Sequence, residues 1–223
     1  MADNLSINRR TSALLVMDFQ TLIVDNYAAD AEALLDRTAE LIAAARTAGM
    51  RVIYVVVGFR PGYPEVSDRN ATFNGLKTSG AFAAGAENAK IHPDVAPLAE
   101  EIVVTKHRVS AFAGTDLDLV LRANGIETLI LTGIVTSGVV LSTLRHAADA
   151  DYRVLSSAIA ARTATRKHIG CCWRRSFRGR PLSRRLRDSH RPSGLHGRRR
   201  HCSVRFVDLP VSGAGRPRKL AQN

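Results

Sequence analysis

Aromatic residues are scarce, only 5% of the 223 residues. The sequence also lacks any run near the roughly 18 apolar residues that a membrane helix needs. The early stretch ALLVM is cut off by Asp18 and so does not read as a secretory leader. These features argue against a membrane protein and make the cytoplasm the expected compartment. Cysteine is absent from residues 1–154; Cys171, Cys172 and Cys202 all come later. Acidic residues show the reverse bias, since Asp188 and Asp208 are the only two after position 154. With 45% hydrophobic residues, the chain has enough apolar material for a real core.

The net charge of +12 is therefore very uneven. Residues 1–154 carry 14 Lys and Arg against 18 Asp and Glu, a net of −4. Residues 155–223 carry 18 Lys and Arg against two acids, a net of +16. A domain is expected over 1–154 and an Arg-rich, poorly ordered tail over 155–223. The adjacent Cys171 and Cys172 lack the two-residue gap of a zinc knuckle. The tail's few aromatics, Trp173, Phe177 and Phe206, do not form a base-stacking platform. Any nucleic-acid binding by the tail is expected to be salt-sensitive and without sequence preference.

Hydrophobic periodicity in the first part alternates between strand and helix. Ser12–Met17 is an apolar run suited to a buried parallel strand. Asp30 can cap a helix reaching about Ala48, with Leu34, Thr38, Leu41 and Ala45 on one face. Arg51–Val57 is β-branched and reads as a second strand. A long connection runs from Gly58 to about Pro93, and Ile102–Thr105 forms a third strand ending at Lys106. Thr115 and Asp118 resemble a capping box for a helix that stops at Gly125. Thr128–Thr132 is a fourth strand, Ser137–Ala150 a helix, and Tyr152–Val154 opens a fifth strand. This order predicts an α/β fold, a parallel sheet with helices on both faces in a Rossmann-like three-layer arrangement.

In such sheets ligands bind beyond the carboxyl ends of the strands. Asp18 ends the first strand, Lys106 ends the third, and Gly133–Val140 joins the fourth strand to a helix. An acid beside a lysine can move a proton, and amides at a helix start can hold an oxyanion. In the long connection, Arg60, Tyr63 and Arg69 are candidates to clamp a carboxylate. His107, beside Lys106, reads as structural.

LLVMDFQ (Leu14–Gln20), VTKHRVSAF (Val104–Phe112) and TGIVTSGVV (Thr132–Val140) together resemble the three signatures of the isochorismatase-like cysteine hydrolase superfamily. The resemblance covers residues 12–154. It implies a hydrolase acting on a small carboxylate, amide or vinyl ether, with Asp18 as acid/base and Lys106 as its partner. It implies a non-proline cis bond at Ile134–Val135 and an oxyanion hole from the amides of Val135 and Val139. Phe19, Gln20 and Phe112 would line the substrate pocket, alongside Arg60 and Tyr63. The resemblance further implies a homo-oligomer with a small-molecule substrate and no cofactor. Related nicotinamidases hold a metal through an Asp-x-His pair after the second strand. Here that stretch is VVVGFRPG, so no metal is expected.

The chain departs from the family at one position. Val139 stands where the family places its nucleophilic cysteine, which excludes thioester chemistry there. Ser137 is a conceivable substitute but lies two residues early. Some superfamily members cleave vinyl ethers without a cysteine, protonating substrate with the acid while water attacks. A non-catalytic binder on the same fold is the alternative, and nucleic-acid binding through the tail a third reading.

The tail also fits a shifted reading frame. Permitted codons for residues 154 onward, read from each third base, give TVLSD and then ADRDPETHRVLLEKVFPRQA by about Pro181. That hidden peptide has a β run, an Asp N-cap, a Pro at the first helical position and an amphipathic helix.

Overall fold

The computed structural model describes residues 7–28, 30–157 and 205–207. Among them, six strands form one parallel sheet in the order β3-β2-β1-β4-β5-β6. The strands are β1 (Ser12–Met17), β2 (Arg51–Val57), β3 (Ile102–Lys106), β4 (Thr128–Gly133), β5 (Arg153–Ser157) and β6 (Arg205–Val207). The helices are α1 (Thr21–Tyr27), α2 (Ala31–Thr47), α3 (Ala71–Ser79), α4 (Leu117–Ala123) and α5 (Leu141–Asp149). The expected parallel α/β layering is present.

Two apolar clusters lie on opposite faces of the sheet, because alternate strand residues point to opposite sides. Leu14, Val16, Val52 and Tyr54 pack with Leu34, Leu35, Leu41 and Ile42 of α2. Ala13, Leu15, Ile53, Val55, Leu129 and Leu131 pack with Leu117 and Leu121 of α4 and Leu144 and Ala147 of α5. Every residue of β1 and β4 is buried, which is why both read as continuous apolar runs.

Local signals set several boundaries. The Asp30 side chain accepts from the Ala33 amide and starts α2. Gly49, at φ 68°, ends it in a left-handed turn. In the long connection, Asn70 caps α3 through the Phe73 amide, and left-handed Gly80 closes it.

Three expectations need correction. Asp116, rather than Thr115, is the N-cap of α4. The Thr115 hydroxyl donates to the Ala111 carbonyl and accepts from the Leu117 amide. Asp118 is drawn off to Arg122 and the Tyr152 hydroxyl, so no capping box forms. The expected helix from Ser137 begins instead as a π turn over Thr136–Val140, and regular α-helix starts at Leu141. Finally, the Ile134–Val135 bond is trans, as no described peptide bond is cis. Val135 makes the turn with a left-handed φ of 63°.

β5 runs to Ser157, three residues past the expected boundary, and Arg205–Val207 of the basic tail adds the edge strand β6 parallel to it. Residues 158–204, which hold most of the segment read in the shifted frame and all three cysteines, lie outside the described residues.

Candidate active site

β1 and β4 are neighbours whose connections leave in opposite directions, so their carboxyl ends open a crevice at the topological switch point. Asp18 sits at that end of β1, and Gly133–Val140 leaves that end of β4. The two ends are drawn close: the Ile134 amide donates to the Met17 carbonyl at 3.2 Å. A Cβ on Gly133 would lie 3.0 Å from that same carbonyl oxygen, so only glycine allows this approach.

Lys106 lies at the end of β3, two strands from β1. Its long side chain passes the end of β2 and brings Nζ within 3.1 Å of Asp18 Oδ2. Both residues are almost sealed from solvent, at 6% exposure for Asp18 and 3% for Lys106. Lys106 Nζ also donates to the Arg108 carbonyl at 3.3 Å. Asp18 Oδ1 is buried with no hydrogen-bond partner among the described residues. Such an oxygen is costly to bury and stands ready for a group brought by a ligand.

Burial pushes the Asp18 carboxyl above its usual value; the charge and hydrogen bond of Lys106 pull the other way without cancelling it. Desolvation thus favours the protonated form more than in a solvent-exposed aspartate. The Asp18 backbone also takes a left-handed φ of 61° and is tied to the Val55 carbonyl at 2.9 Å.

Val139 is 2% exposed and belongs to the apolar cluster with Met17, Ala111, Phe112 and Leu144. Position 139 is thus filled by a packed apolar side chain. Ser137 is exposed on the same π turn. Gly138 lets that turn close, since a Cβ there would sit 3.0 Å from Val135 Cγ1. The Ala111 amide donates to Thr143 Oγ1 at 3.0 Å, anchoring the segment after Lys106 to α5.

The other candidates have different jobs. Gln20 is fully buried, and backbone groups engage its whole amide. Nε2 donates to the Val57 and Ala89 carbonyls at 2.9 and 2.6 Å, while Oε1 accepts from the Val57 amide at 2.8 Å. Gln20 thus stitches β1 to β2 and to the return of the long connection, leaving nothing to offer a substrate. Tyr63 is buried and donates to the Ala81 carbonyl at 2.9 Å. Phe19 is buried in the α2-side core. Phe112 is buried on the other face and stacks on His146, ring centroids 4.7 Å apart.

Arg60 has an exposed side chain, at 69%, and pairs with Glu65. It lines a cleft of about 660 Å³ with Phe59, Phe82, Thr105 and His107, around the ends of β2 and β3. Asp18 and Lys106 are not part of that lining. His107 Nδ1 contacts the Gly58 carbonyl, in keeping with a structural role. Arg69 is an exposed residue before α3. Among the described residues, no three His, Cys, Asp or Glu side chains gather as a metal site.

Sequence reasoning singled out Gln20 for a pocket-lining role rather than a positioning one, and it missed Thr143. The available signal was their chemistry in context: a polar residue just after a buried strand, and a threonine on an apolar helix face.

Comparison with known proteins agrees with this fold. A ureidoacrylate amidohydrolase RutB from Variovorax paradoxus is 36% identical over 169 residues, which is 66% of this chain and 67% of the relative. Across relatives of this kind that it matches, the chain spans between 50% and 72% of their length. A crystal structure of an isochorismatase family protein from Desulfovibrio vulgaris superposes with a TM-score of 0.65 at 29% identity, covering 75% of this chain and 90% of that one. A cysteine hydrolase from Pseudomonas syringae gives a TM-score of 0.65 at 26% identity, covering 69% and 73%. The isochorismatase domain model matches residues 12–171, and the chain belongs to the isochorismatase family.

Proposed function

We propose that the chain is an isochorismatase-family hydrolase in which Asp18 is the acid/base, Lys106 its partner and water the nucleophile. The observation that carries this reading is the sealed Asp18–Lys106 pair, with one carboxylate oxygen left without a partner among the described residues. Lys106 holds Oδ2, which leaves Oδ1 to face the substrate. A carboxyl raised by burial keeps its proton nearer neutral pH, where it can deliver it.

The substrate class that fits is a small carboxylate carrying a vinyl ether. Asp18 gives its proton to the terminal carbon of the C=C bond, and the electron pair of that bond forms the new C–H bond. Positive charge then develops on the ether carbon, where water adds, losing its proton to the Asp18 carboxylate. The resulting hemiketal releases the alcohol and leaves a carbonyl. The amides of Val135 and Val139 would steady the oxygen that gains charge as the hemiketal collapses. Exposed Arg60 is the candidate for the substrate carboxylate, exchanging Glu65 for it. Ureido or amide substrates, as the names of the relatives suggest, fit less well, because Val139 provides no thiol for an acyl intermediate.

Turnover of vinyl-ether and ureido carboxylates in deuterium oxide tests this. The expected result is ether cleavage with one solvent deuteron on the former vinyl carbon, abolished in D18N. Ureido hydrolysis without ether cleavage would overturn it. A second reading, a small-molecule binder without turnover, is favoured by the packing of Val139 into the core. Saturable ligand binding with no product would establish that reading.

A further inference from the structure

At the opposite end of the sheet, where β1 and β2 begin, a groove of about 560 Å³ is lined by Arg9, Arg10, Arg46, Arg51, Leu98 and Glu100, among others. A second hollow of about 360 Å³ shares Arg9, Arg10 and Gly49 with it. We infer that this groove is a binding site for a small organic phosphate, held by the guanidinium groups of Arg9, Arg10 and Arg51.

Part of the charge in this groove has no partner among the described residues. Arg46 is committed. Its Nε and Nη2 grip both oxygens of Glu101 at 2.9 and 2.7 Å, and Nη2 also reaches the Ala96 carbonyl and the Tyr54 hydroxyl. The Leu98 amide donates to Glu101 as well, so that carboxylate takes three hydrogen bonds, and Arg46 is its one ion-pair partner among the described residues. Arg9, Arg10 and Arg51 make no ion pair with any described residue. Exposed Glu100 is the one other acid in the lining, leaving three cations against one anion.

Nor do these arginines cap the nearby helix. The negative end of α2 lies here, but three of its last carbonyls are already taken. Ala44 accepts from Ala48, Ala45 from Met50 and Arg46 from Gly49, all within 3.0 Å. Gly49 has nothing within 4 Å of its missing side chain, so the floor of the groove stays open. Three guanidinium groups around one hollow repel each other unless an anion joins them, and their planar forks match phosphate oxygens. The hollow is of small-metabolite size. Met50 and the half-exposed Leu98 supply apolar contact for the organic part.

The test is calorimetric titration of the full chain with inorganic pyrophosphate and, separately, with ADP. One saturable site per chain is expected. R51E and the R9E/R10E pair should each weaken it at least tenfold, while diffuse, salt-sensitive binding by the basic tail persists. Tighter binding of ADP than of pyrophosphate would place the nucleoside against Leu98 and Met50. Equal affinity would narrow the ligand to the phosphate group alone. Unchanged affinity in the variants, or no saturable site in the parent chain, would overturn the inference. All three side chains are exposed, so these changes leave the fold intact, which circular dichroism would verify.

Discussion

The two ends of the sheet each hold an ion pair, and the pairs are built on opposite terms. At the amino ends, Glu101 meets Arg46 through both oxygens and takes a third hydrogen bond from the Leu98 amide. At the carboxyl ends, Asp18 meets Lys106 through one oxygen, and its other oxygen has no hydrogen-bond partner among the described residues. Burial alone would raise both carboxyls. Arg46 and the Leu98 amide reverse that for Glu101, which titrates below its usual value. Lys106 fails to reverse it for Asp18, which titrates above. A saturated pair adds stability, whereas an unsaturated one stores chemistry at the expense of stability.

Removing each acid should separate these roles most sharply. D18N should lower turnover by about a thousandfold, the usual scale for losing a general acid. E101Q should leave turnover intact. Steady-state rates on the vinyl-ether substrate read this directly, and a comparable loss in E101Q would erase the distinction.

Breaking the buried pair from its cationic side comes next. K106M leaves Asp18 without its cation and should cost about 3 kcal/mol in urea unfolding. The D18N/K106M double variant should cost less than the sum of its parts. Strict additivity would mean that the two groups are not coupled.

A smaller loss is expected at the stitch behind the site. Q20L strands the Val57 amide and the carbonyls of Val57 and Ala89, which should cost about 2 kcal/mol. Amide hydrogen exchange should then rise at Val57 and at residues 89–92. Unchanged protection there would mean that other contacts hold the connection.

The weakest effect, and the most diagnostic in sign, is pH dependence. Glu101 has a depressed value in the fold, so its contribution is complete above the unfolded value near 4.5 and is lost as pH falls through the lower folded value. Asp18 behaves inversely. Its raised value means that stability declines as pH climbs from about 3.8 through the folded value, then levels off. Urea midpoints against pH should therefore lose their acid-side slope in E101Q and their rise-side decline in D18N. Matching profiles in the two variants would contradict the assignment.

The Asp18 side of this contrast is legible in the sequence, and the Arg46–Glu101 side is not. The strands β1 and β2 ended where their apolar runs ended, and Asp30 announced α2, because burial and capping are local properties. Asp18 and Lys106 could be singled out because strand ends are where parallel sheets gather polar groups. Other features depended on partners distant in sequence. Nothing local says that Gln20 spends its amide on Val57 and Ala89, 37 and 69 residues away. The π turn at Thr136–Val140 is fixed by how closely β4 must approach β1, which glycine at 133 permits but does not dictate. α1 and α3 were missed although Asn70 and Gly80 bracket α3 clearly, since the connection lacks an apolar face of helical length. The strand Arg205–Val207 is three residues within a basic tail, too short for any periodic signal.

The left-handed backbone of Asp18 narrows what can ever replace it. At a positive φ, asparagine and glycine are tolerated well, while β-branched residues are strained. In the genetic code, both asparagine and glycine lie a single base away from aspartate. Neither carries a carboxyl proton. The substitutions that the backbone admits most readily are therefore the ones that keep the fold and silence the chemistry. One base separates a hydrolase built this way from a binding protein of the same shape.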